Sequence, residues 1–95
     1  MTDAPMPDVL TLAKALIRAD SVTPAAGAVF DVLAAALVPM GFAVDRFIAG
    51  DAPDGPVENM LATRAGKGPH LAFAGHLDVG PPGEGWTTSP WSGEI

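Results

Sequence analysis

An α/β fold is predicted by three features of the sequence. Two amphipathic helical stretches come first, the hydrophobic period then drops to about two, and a short run with no polar residue follows. The predicted order is helix, helix, strand, strand, strand.

Asp8 can cap a first helix in which Val9, Leu12, Ala13, Leu16 and Ile17 recur at three- and four-residue intervals, and this helix should end near Arg18 to Asp20. Ser21-Val22-Thr23-Pro24 reads as a turn into a second helix, with Pro24 suited to its first turn and Gly41 placed to terminate it. Its buried face should be Val29, Phe30, Leu33, Leu37 and Met40. Pro39 has no amide hydrogen to donate, so the last turn must be distorted or the helix must stop earlier. Phe42, Val44 and Phe47 then alternate as in a half-buried strand. Ala49 to Pro56 is rich in Gly, Asp and Pro and reads as a loop, and Asn59 to Arg64 as a second strand. After the turn at Ala65 to Gly68, Leu71 to Ala74 is apolar on both faces, the pattern of a central strand covered on both sides. Pro81 to Gly85 should be irregular. Two helices and three strands make about half of a layered α/β domain, so residues 1–95 are expected to be one portion of a domain that this chain leaves incomplete.

Hydrophobic residues make up 48% of the 95 and charged residues 17%, a balance too apolar for a disordered segment. The formal charge of -6, with no cluster of Lys or Arg, argues against nucleic acid as a partner. No apolar run approaches the roughly 20 residues of a membrane span, and Met1 to Met6 lacks the pattern of a signal peptide, so a soluble cytoplasmic protein with no membrane partner is expected. There are no cysteines. Thiolate nucleophiles, disulfides and Cys-ligated zinc are therefore excluded, and a metal would have to be held by His and carboxylates.

The chemistry concentrates in Phe73-Ala74-Gly75-His76-Leu77-Asp78-Val79, where the apolar run leads into an imidazole and a carboxylate two residues apart. Ligands in open α/β sheets bind at the carboxyl ends of strands. In an extended chain, residues two apart project to the same side with Cα atoms about 6 to 7 Å apart, so Asp78 can reach the ring of His76. One ring nitrogen could then bind a metal while the other donates to Asp78, which fixes the tautomer. A His-x-Asp pair beside a buried strand also occurs with a purely structural hydrogen bond. Spacing alone leaves both readings open.

The longer stretch is more specific. Gly75-His76-Leu77-Asp78-Val79, followed by Pro81-Pro82-Gly83, Trp86 and Pro90, resembles the signature of the M20 family of metallo-amidohydrolases and peptidases. Leu16-Ile17-Arg18, Ser21-Val22-Thr23-Pro24, Gly41-Phe42 and Glu58-Asn59-Met60-Leu61-Ala62 extend the likeness over nearly the whole chain. The resemblance implies the N-terminal part of a zinc-peptidase-like catalytic domain, with His76 as a zinc ligand and Asp78 as the catalytic-site residue that orients it. It also implies two zinc ions, or cobalt in their place, and a homodimer at full length. The implied reaction is hydrolysis of a small N-succinyl amino acid, N-succinyl-L,L-diaminopimelate, with other M20 amidohydrolases (acetylornithine deacetylases, aminoacylases, carboxypeptidases) as the alternative within the family. A non-catalytic interaction module is the alternative outside it. The family's remaining ligands and its glutamate base are expected beyond Ile95. Gly80, where the family commonly has Val, and Trp91, where Phe is usual, depart from the pattern, and Gly80 should loosen the backbone beside the site.

Other candidates read more simply as structure. His70, six residues before His76, would lie about 20 Å away along a strand and is best placed at a solvated strand end. Trp86 and Trp91 are expected to pin their Pro/Gly-rich loop to the domain. Ser21 and Thr23, near no base, suit capping or turn roles.

Overall fold

The structure is a computed structural model in which residues 8–22, 27–51, 53 and 55–94 are described. Helix α1 spans Val9–Arg18 and helix α2 spans Ala28–Leu37, followed by a 3-10 turn at Val38–Met40 and strands β1, Ala43–Ala49, and β2, Val57–Thr63. Two helices followed by an antiparallel hairpin give the predicted α/β order.

The start of α1 is set by Asp8, whose carboxylate accepts from the Thr11 amide at 3.2 Å and the Thr11 hydroxyl at 3.1 Å. These bonds, the hydroxyl's first, hold the Asp8 carboxyl below its ordinary pKa. The apolar stripe is narrower than its spacing predicts. Leu12 and Leu16 are half-buried, and Leu16 and Ala19 meet the core, whereas Val9 and Ile17 are exposed.

Helix α2 begins at Ala28, after Gly27 at φ 67°. A positive φ cannot continue a right-handed helix, so the helix starts beyond the glycine. The expected turn residues Thr23 and Pro24 lie outside the described residues. The α2 face forms as predicted: Val29 and Phe30 are buried, and Leu33, Leu37 and Met40 are half-buried. Pro39 sits in the 3-10 turn, and Gly41 at φ 93° ends the element with its amide donating to the Val38 carbonyl at 3.0 Å.

In the hairpin Ala43 faces Thr63 and Ala49 faces Val57. This register puts Val44 and Arg46 on the same face as Glu58, Met60 and Ala62, and Met60 packs against the Val29–Phe30 core. Phe47, expected to point inward, is 47% exposed on the opposite face, and Arg46 holds the inward position. Arg46 can do so because its charge is answered there. It donates from Nε to Glu58 Oε2 at 2.5 Å, from Nη1 to Asp31 Oδ1 at 2.5 Å and from Nη2 to the Gly27 carbonyl at 3.3 Å. Glu58 accepts from the Gly27 amide through its other oxygen at 2.7 Å. Its pKa is lowered, chiefly by the bond from Arg46 and then by that from Gly27.

The third predicted strand does not form. Residues 71–74 run without a ladder partner among the described residues, and Leu71 and Phe73 are 82% and 91% exposed. A segment apolar on both faces is stable as a strand only with neighbours at both edges and a layer over each face. Those neighbours are lacking among the described residues. What holds the following segment is a parallel bridge between Val22 and Val79, in which the Val79 amide donates to the Ser21 carbonyl at 2.8 Å.

Candidate metal centre

Two anchors position the His76–Asp78 segment. The Leu77 side chain packs against the core pair Val29 and Phe30, and Val79 is tied to Ser21. Ser21 is 5% exposed, so this backbone contact is made inside the protein. Along an extended chain, alternate residues point oppositely. Leu77 turned to the core leaves His76 and Asp78 on the other side, where their side chains are 82% and 40% exposed.

His76 Nδ1 lies 2.8 Å from the Asp78 carbonyl oxygen and 3.1 Å from Asp78 Oδ1. A carbonyl can only accept, so Nδ1 must carry the proton and donate to both. In the neutral ring the lone pair is then on Nε2, which has no hydrogen-bond partner among the described residues. An exposed imidazole with a lone pair on Nε2 and a carboxylate behind Nδ1 is the donor chemistry that suits zinc or cobalt. It fits one coordination position. Among the described residues no group of three His, Asp, Glu or Cys side chains could enclose a metal ion.

His76 also lines two open clefts. One, of about 590 Å³, runs between α2, β2 and residues 73–78, and the other, of about 390 Å³, is walled by Leu16, Val29, Val79, Trp86 and Trp91. The structure thus brings His76 and Asp78 together. His70 is exposed and takes no part in this pairing. Trp86 donates from Nε1 to the Pro82 carbonyl at 2.8 Å, closing its own loop, though 57% of the residue is exposed. Gly80 does not have a positive φ, and a Cβ built there meets nothing within 4 Å. Neither the backbone angle nor a close neighbour therefore requires glycine at this position.

Two arginines escaped the sequence reading. Arg18 donates from Nε to the Ser92 carbonyl at 2.9 Å, tying residues 74 apart, and no local pattern signals such a pairing. Arg46 gave no local signal either: its inward position is favourable only because Asp31 and Glu58 reach it from other elements.

In a full-length protein, Asp78→Asn is expected to preserve the fold and weaken zinc binding by about 10- to 100-fold, because the carboxylate behind the ligating ring is lost. Zinc competition against a chromogenic chelator measures it, and a change below about twofold would make Asp78 a surface residue with no such role.

The chain is 66% identical over 89 residues to a succinyl-diaminopimelate desuccinylase of Sphingopyxis alaskensis, covering 93% of this chain and 24% of the relative. It is 60% identical over 98 aligned residues to one from Novosphingobium aromaticivorans, covering 99% and 25%, and 57% identical over 90 residues to one from Rhizorhabdus wittichii, covering 95% and 24%. No family model matches, and no solved structure matches. By this similarity, along nearly its whole length, the chain is related to the succinyl-diaminopimelate desuccinylases, and it spans about a quarter of the length of the curated relatives it matches.

Proposed function

We propose that a full-length protein carrying this chain hydrolyses N-succinyl-L,L-2,6-diaminopimelate to succinate and L,L-diaminopimelate, a step of diaminopimelate and lysine biosynthesis. The observation that carries the reading is the high identity to proteins bearing that name, with His76 and Asp78 paired as a ligand and its orienting carboxylate. In this reading His76 holds one of two zinc or cobalt ions through Nε2, and Asp78 keeps the ring in the tautomer that leaves Nε2 unprotonated. When bound, the metals would supply a water activated at neutral pH and a Lewis acid for the scissile amide. Further ligands and the proton-transferring base would come from outside residues 1–95, and the full-length protein acts as a cytoplasmic homodimer. The test is turnover of a panel of N-acyl amino acids by the zinc-loaded full-length protein. Preference for the N-succinyl diamino acid is expected, and preference for N-acetylornithine or an N-acyl monoamino acid would overturn the substrate assignment.

A further inference from the structure

We propose that Arg46 is a positioning residue for the His76–Asp78 pair, acting through Phe30 and Leu77. The guanidinium joins three parts of the fold. It bonds Glu58 on β2, Asp31 in the first turn of α2 and the carbonyl of Gly27 just before that helix. Glu58 returns a bond from the Gly27 amide, so the start of α2 is held to the hairpin from both the carbonyl and the amide of one residue. The guanidinium also lies 5.8 Å from the centre of the Phe30 ring, within range of a cation-π contact.

Phe30 is thereby held from the hairpin side, while Leu77 packs against the Val29–Phe30 pair. Leu77 stands between His76 and Asp78 in the chain, so the position of its side chain sets where both neighbours emerge. The path from Arg46 to the imidazole runs from the guanidinium to the Phe30 ring, through the Val29–Phe30 core on which Leu77 packs, and along the Leu77 backbone. Lysine could keep the charge but not the planar fork that reaches two carboxylates and a carbonyl while lying over a ring. The pairing of His76 with Asp78 should therefore depend on the guanidinium as a shape, beyond any dependence on net charge.

The metal-related part of this inference rests on the function proposed above, and one arm of the test does not. The first arm uses metal-free protein and ¹⁵N NMR of the His76 ring, at one fixed pH at which the spectrum itself shows a neutral ring in parent and variants. In the parent the Nδ1-protonated tautomer should dominate. In Arg46→Gln and Arg46→Lys its share should fall toward that of an unconstrained imidazole, with the far-ultraviolet circular dichroism retained. The second arm is zinc affinity of the same variants at full length, expected to be about tenfold weaker for both.

Folded variants with an unchanged His76 tautomer would overturn the proposal. If a variant fails to fold, Phe30→Leu, which removes the ring face and keeps an apolar contact for Leu77, serves in the same NMR measurement, and an unchanged tautomer there would also overturn it. A parent that neither binds zinc nor hydrolyses the substrate would instead defeat the functional reading, leaving the NMR result to decide the role of Arg46.

Discussion

His76→Ala in a full-length protein should lower bound zinc and hydrolysis together, the rate by on the order of a thousandfold. Metal polarisation and water activation are worth several kcal/mol, and each 1.36 kcal/mol is a factor of ten in rate. The proposed ligating nitrogen is the one that the hydrogen bonds leave unprotonated, and among the described residues no group of three His, Cys, Asp or Glu side chains could hold a metal ion. Metal content by plasma mass spectrometry and kcat on the N-succinyl substrate should fall in parallel. Full zinc occupancy with an unchanged rate would remove His76 from the centre.

Phe30→Ala carries the largest expected effect on folding. Such truncations cost about 3 to 5 kcal/mol in well-packed cores, and even stable single domains hold only about 5 to 15 kcal/mol in total. Here the buried apolar residues among those described are Val29, Phe30 and Ala36, with Leu16, Ala19, Met60 and Leu77 packed on the first two. Removing the ring also leaves the Arg46 guanidinium without its aromatic partner. Urea unfolding followed by circular dichroism should show the transition lost or moved far toward zero denaturant. A midpoint shift equivalent to less than about 1 kcal/mol would mean that the core lies elsewhere.

How much of this was legible from sequence depended on the range of the interactions. Asp8, Pro39 and Gly41 act within one turn of the backbone they cap, distort or end, and each does what its chemistry predicts. The inward direction of Arg46 in place of Phe47 could not be read from apolar alternation, since it is decided by Asp31, Glu58 and Gly27, which arrive from other elements. Residues 71–74 illustrate the same limit from the other side. Their pattern correctly describes a segment that demands cover, while the exposure of Leu71 and Phe73 shows that pattern alone cannot supply the covering layers.

The candidate site divides in the same way. His76 and Asp78 are two residues apart, so extended geometry was enough to predict that they meet. The choice of Nδ1 as the bonded nitrogen was not legible, because it follows from the Asp78 backbone carbonyl as much as from its carboxylate. Nor were the anchors at Leu77 and Ser21, which depend on α2 and on the end of α1 being in place.

The central claim is that His76 offers Nε2 to a metal while Nδ1 is engaged by Asp78. Zinc-edge anomalous diffraction from crystals of the zinc-loaded full-length protein tests it most directly. The expected result is an anomalous peak about 2.0 to 2.1 Å from His76 Nε2, with Nδ1 still within hydrogen-bond reach of Asp78. Zinc bound through Nδ1, or a zinc site that His76 does not reach, would contradict it.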